Sequence, residues 1–152
     1  VSILVRYPEV GTINVDQDLQ VLKFTFFFTK DVKNPGGSRQ TLQDSLCLFN
    51  QLEGRNQRVC NLEFKTQEGV TSLHVERDIE TVSQNELNLL IELLRQHFND
   101  SLISDQGEEI PEEELLMQEE LIKHMLENIR VNHLDKSVIA LREEGRVLVF
   151  NR

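Results

Sequence analysis

Residues 108–120 read EEIPEEELLMQEE, with seven glutamates in thirteen positions. Carboxylates with a histidine in reach are the raw material of a divalent metal centre, because hard and borderline cations take carboxylate oxygen and imidazole nitrogen. Glu120 and His124 stand four apart, so one face of a helix presents both. His97, on an earlier helical stretch, would complete a set of His97, Glu120 and His124, with Asp105 or Glu109 as additions. The spacing argues the other way. Carboxylate-bridged bundle sites use Glu-x-x-His at spacing three on two helices, whereas the spacing here is four and occurs once. Glu and His at spacing four is also an ordinary exposed helix pair.

The same run has a structural meaning. Pro111 suits the first residue of a helix, where its missing N–H costs nothing. Glu112, Glu113 and Glu114 then fall in the first turn, where free backbone N–H groups and the helix dipole favour negative charge by roughly 0.3–1 kcal/mol each. Leu115, Ile122, Met125, Leu126 and Ile129 follow as an apolar stripe, so a helix is predicted over 111–130.

A second chemical candidate is KNPGGSR at 33–39. Glycines ahead of a helix expose backbone N–H groups to anions. Gly36, Gly37, Ser38 and Arg39 are therefore an anion-binding candidate. The stretch lacks the lysine and spacing of a phosphate-binding loop, and a flexible turn is the simpler reading. No GxSxG nucleophile motif occurs, and neither Cys47 nor Cys60 belongs to a CxxC pair. Both cysteines fall in apolar patterns and read as small buried residues of a reducing, cytoplasmic setting.

A third candidate is a contact surface. In LQVLKFTFFFTK, Leu22, Phe24, Phe26 and Phe28 alternate on one strand face. Lys23, Thr25 and Thr29 alternate on the other, where Phe27 joins them. A large apolar side chain on a polar face is covered by a helix or another subunit, or it stands exposed. Phe27, with Met117 and Leu121 of the long helix, is the candidate interface.

The elements that position these residues follow in chain order. Residues 2–7 suggest a short strand stopped by Pro8, and 12–15 a second that turns at Asp16-Gln17-Asp18 into the Phe-rich strand. A helix is predicted over 41–53, opened by a Thr41/Asp44 capping box and ended at Gly54. A hairpin turns through Gln67-Glu68-Gly69. A helix over 84–99 is opened by a Ser83/Glu86 capping box, and a polar connector spans 99–110. A last hairpin turns at Glu143-Glu144-Gly145, and its final strand, apolar on both faces, reads as an interior strand or one covered on both sides. The order of strands, helix, hairpin, two helices and hairpin predicts one α+β domain over residues 1–152. Its antiparallel sheet would be built from hairpins, with about three amphipathic helices mainly on one face.

The chain has 152 residues, enough to bury a core without disulfides or metal. Its formal net charge of −10 excludes an electrostatic footprint for nucleic acid or anionic lipid. No apolar run is long enough to span a membrane, and no signal segment is visible. The expectation is a noncatalytic binding or regulatory domain without a cofactor, working through protein–protein contacts as a homodimer. The alternative is a small metal-binding protein or metal-dependent enzyme built on the helices 84–99 and 111–130.

Overall fold

The structure is a computed structural model. It describes residues 2–29, 35–98, 101–104, 112–131, 138–143 and 146–151. The elements are α1 (Ser2–Arg6), β1 (Thr12–Asp16), β2 (Val21–Phe28), α2 (Pro35–Leu52), β3 (Cys60–Gln67), β4 (Val70–Asp78), α3 (Gln84–Phe98), α4 (Glu112–Val131), β5 (Val138–Glu143) and β6 (Arg146–Asn151). Six antiparallel strands form one sheet in the order β3-β4-β2-β1-β5-β6. With the helices packed against it, this is the α+β class expected.

Strand alternation decides what each face carries. Ile13 pairs with Phe24, Phe24 with Val75 and Val75 with Leu62, so these residues share a face. That face also holds Phe26, Phe28, Leu73 and Ala140. It merges into a single apolar cluster with Leu42 and Leu46 of α2, Leu87, Leu90, Ile91 and Leu94 of α3, and Ile122, Leu126 and Ile129 of α4. The opposite face carries Lys23, Asn61, Glu63, Ser72, His74 and Glu76 near β3, β4 and β2. Two tight turns fix the register. Glu68 (φ 53°) and Gly69 (φ 80°) close the β3–β4 hairpin in the left-handed conformation that this turn demands. Between β1 and β2, Asp16 Oδ1 accepts from the Leu19 N–H at 3.1 Å.

Four expectations are corrected. Residues 2–6 form a helix and not a strand, and the Tyr7 N–H reaches the Ile3 carbonyl at 2.9 Å. Ile3, Leu4 and Tyr7 are buried, a helical spacing that so short a run cannot distinguish from strand alternation. The second correction concerns α2, which begins at Pro35, so residues 35–39 are helical and not a loop. Proline pre-sets φ for a first helical turn and carries the two glycines into it. The Thr41/Asp44 capping box consequently does not form. Thr41 lies inside the helix, its hydroxyl donating to the Gly37 carbonyl at 3.0 Å, while Asp44 accepts from Gln40 at 2.8 Å. Third, of the two readings of the last strand the interior one does not hold, since among the described residues β6 lies at the end of the sheet. Fourth, Phe27 is half-buried and covered by its own chain. A Cβ on Gly11 would stand 2.4 Å from Phe27 Cε2, so the glycine backbone lies directly on the ring. Replacing Gly11 by Ala forces the ring or the strand to shift and is expected to destabilise the fold by about 1–3 kcal/mol, measured as a lower urea midpoint.

Candidate functional site

The largest buried polar arrangement gathers where β4 meets α3. The alternation that puts Leu73 and Val75 in the core also puts Arg77 there, at 1% exposure. Glu86, in the first turn of α3, answers it with a two-pronged bond: Arg77 Nε donates to Oε2 at 2.5 Å and Nη2 to Oε1 at 2.8 Å. Arg77 also donates to Asp78 Oδ1, to the Val59 carbonyl at 2.8 Å and to the Thr81 hydroxyl at 3.0 Å. Asp78 in turn accepts the N–H groups of Arg58, Val59 and Thr81, each at 3.1 Å, and the Thr81 hydroxyl at 2.7 Å.

The electrostatics follow from these bonds. Burial alone would depress the Arg77 guanidinium, but the Glu86 hydrogen bonds and the charges of Glu86 and Asp78 outweigh it, and the pKa rises. Burial works against ionising Asp78, yet the Thr81 hydroxyl, the Val59 N–H and the Arg77 charge hold its carboxyl below the ordinary value. Perturbed charges in a cleft often mark catalysis, but buried ion-pair networks perturb them equally. Here each charged group is spent on another protein group. The arrangement clamps β4 to α3 and offers no free acid, base or anion receptor.

Sequence reading missed this clamp, although its signal was present: Arg77 follows Thr71, Leu73 and Val75 on the inward parity of its strand. It also misread Glu86. The Ser83 hydroxyl caps α3 as expected, accepting the Glu86 N–H at 3.2 Å. The Glu86 side chain does not return to Ser83, because the buried guanidinium takes it.

The metal candidates disperse. Glu120 and His124 stand exposed on the outer face of α4, while His97 is exposed at the end of α3. Among the described residues no group of three His, Cys, Asp or Glu is placed to hold a metal ion. Asp105 and Glu109 lie outside the described residues.

His97 instead joins the anion candidates. A hollow of about 260 Å³ between α2 and α3 is lined by Gly37, Ser38, Thr41, Leu42, His97 and Phe98. Gly36 and Arg39 do not line it. Arg39 runs along its own helix to Gln43 Oε1 at 3.2 Å, and Gln43 continues to the Cys60 carbonyl at 2.9 Å. A second cleft, about 560 Å³, includes Arg58, Glu80 and Arg130. Its charges are also occupied: Arg58 pairs with Glu80 at 2.9 Å, and Arg130 donates to the carbonyls of Ile79, at 2.8 Å, and Val82. Both cysteines are unpaired, and burial pushes the Cys60 thiol up to about 11, which leaves it protonated and inert at neutral pH.

Exposed large apolar side chains are scattered over the described residues, at Leu19, Leu48, Leu52, Val70 and Ile103 among others, and two further groups each sit on one element. On α4, Leu116, Met117 and Leu121 are exposed beside Glu113, Glu120 and Glu127, which recur every seven residues on the same outer side. At the other place, the β5–β6 end of the sheet, Val149 is 46% and Phe150 52% exposed. Cross-strand pairing sets Ile139 against Phe150 and Leu141 against Leu148, so four apolar side chains adjoin on the face opposite the main core. These features define an α+β domain with apolar side chains at the β5–β6 end of its sheet. No protein-family model matches the chain, and no curated protein matches it. No helix among the described residues is long and apolar enough to cross a membrane.

Proposed function

We propose that the chain is a noncatalytic protein-interaction domain that self-associates as a homodimer. The observation that carries this reading is the apolar end of the sheet, where Ile139, Leu141, Leu148 and Phe150 adjoin and Val149 stands exposed on the other side of the strand. Contiguous exposed apolar surface on a soluble domain marks a contact site, and closed two-fold pairing is the commonest way such a surface is covered. Burial of apolar area supplies the driving force.

Of the three residues first marked as an interface, Phe27 is covered by Gly11 and contributes little. Met117 and Leu121 sit among glutamates, where a second copy of an acidic chain is repelled. The proposal therefore places self-contact at β5–β6. Two unpaired thiols, one buried, fit the reducing interior of a cell as its setting. Sedimentation velocity over a dilution series tests the reading. A dimer that gives way to monomer on dilution supports it, and a monomer throughout the micromolar range rejects it.

A further inference from the structure

We infer that the cleft between the β1–β2 turn and the end of α4 binds a small molecule through a phosphate monoester group, independently of the self-association proposed above. The cleft measures about 560 Å³, within the roughly 300–1,000 Å³ of small-molecule sites. Leu19 and Ile79 supply apolar wall, and Arg58, Glu80 and Arg130 supply charge. The wall is pinned in place, because the Ile79 N–H donates to the Gln20 carbonyl at 3.0 Å and ties the β1–β2 turn to the end of β4.

The charges here do not cancel. Arg58 is spent on Glu80, and Asp78 on Arg77. Two guanidiniums are left over. Arg130 comes from the last turn of α4 and Arg55 from the stretch after α2, and both end on the turn Ile79–Val82. Arg130 donates to the carbonyls of Ile79 and Val82, and Arg55 Nη1 donates to that of Thr81 at 3.3 Å. A carbonyl occupies an N–H group but cancels no charge. Among the described residues no carboxylate forms an ion pair with either guanidinium, and Nη1 of Arg130 and Nε and Nη2 of Arg55 donate to none of them. Burial and the Arg55 charge hold the Arg130 guanidinium below its ordinary value, and the charges of Glu127, Asp78 and Glu80 do not make up the difference.

Two neighbouring cations without a counter-charge match a dianion. A phosphate monoester carries roughly −1.5 to −2 at neutral pH and offers three strong acceptor oxygens. The planar fork of a guanidinium fits those oxygens two at a time. A carboxylate brings about half the charge. Leu19, 66% exposed beside the cationic pair, gives the apolar body of such an ester a surface to cover.

Calorimetric titration of the full chain with phenyl phosphate, inorganic phosphate and benzoate, at one ionic strength set with sodium chloride, tests the site. The expected result is one-to-one binding of phenyl phosphate, weaker binding of inorganic phosphate, and benzoate weaker than phenyl phosphate by about tenfold or more. Arg130→Gln and Arg55→Gln should each weaken phenyl phosphate by about tenfold. Lys65→Gln removes the same charge from an exposed position on the open face of the sheet and should leave binding unchanged. Circular dichroism checks the fold of each variant. Arg55 is half-buried and makes a single long bond, so Arg55→Gln decides the matter if Arg130→Gln does not fold. No binding of phenyl phosphate at millimolar concentration overturns the inference. So does an equal loss in Lys65→Gln, which would mean diffuse attraction to the surface, or full binding retained in Arg55→Gln.

Discussion

Replacing Glu86 by Ala will destabilise the fold by about 3–5 kcal/mol, because it leaves the Arg77 guanidinium buried without its main counter-charge. At 1% exposure Arg77 cannot recover the loss from water, and its side chain fills space between β4 and α3 that nothing else occupies. The measurement is a urea unfolding curve for parent and variant, with the slope checked for two-state behaviour. A loss below about 1 kcal/mol would mean that Asp78, Thr81 and the Val59 carbonyl carry the guanidinium unaided, and the clamp would be misassigned. The paired replacement Arg77→Met with Glu86→Leu separates charge from shape. Apolar groups of similar volume have no desolvation cost to offset, so the double variant should regain most of what Glu86→Ala loses.

The same network sets an acid limit. The Asp78 pKa is depressed in the folded chain relative to its ordinary value of 3.8. Folding therefore gains from the ionised form above that value and loses the gain as pH falls through the lower, folded value. In that window the unfolded chain binds more protons than the native one, so stability drops with pH. Asp78→Asn should flatten this part of the profile while lowering stability at neutral pH.

The second large effect lies in the core. Phe28 is fully buried, and its ring centroid is 6.0 Å from that of Phe64 and 5.2 Å from that of Phe98. Three aromatics thus tie the end of β2 to β3 and to the last turn of α3. The Phe28–Phe98 contact is edge-on, at 71°, an arrangement worth more than its buried area alone. Phe28→Ala removes the shared member and leaves a cavity that strand backbones cannot close. A loss of about 3–5 kcal/mol is expected, with Phe28→Leu keeping more than half of the stability. Equal losses for the two variants would argue against aromatic packing as the cause.

The parts of the fold that were legible in the sequence are those whose pattern repeats over several turns or pairs. β2 was readable because Leu22, Phe24, Phe26 and Phe28 alternate without a break. α3 and α4 were readable because their leucines and isoleucines recur at helical spacing over 15 and 20 residues. The first helix was not, because Ile3, Leu4 and Val5 are apolar in succession and the run is too short to show a period. The start of α2 was hidden by Gly36 and Gly37, which suggest a turn until the fixed φ of Pro35 is given its weight. For β6 the sequence left two readings, interior or covered on both sides, and could not choose between them. Apolar residues on both faces of a strand imply cover on both faces. That rule names an interior strand when cover comes from the same chain, and an interface when it comes from another. The candidate site was less legible than the fold. His97, Glu120 and His124 share a plausible chemistry but sit on surfaces that the topology keeps apart, and Arg77 was passed over although strand parity turns it inward.

The native mass spectrum of the untagged chain, gently purified at micromolar concentration, tests the central claim most directly. The account predicts twice the single-chain mass with nothing added, shifting toward the single mass on dilution. A single-chain mass at every concentration would contradict it.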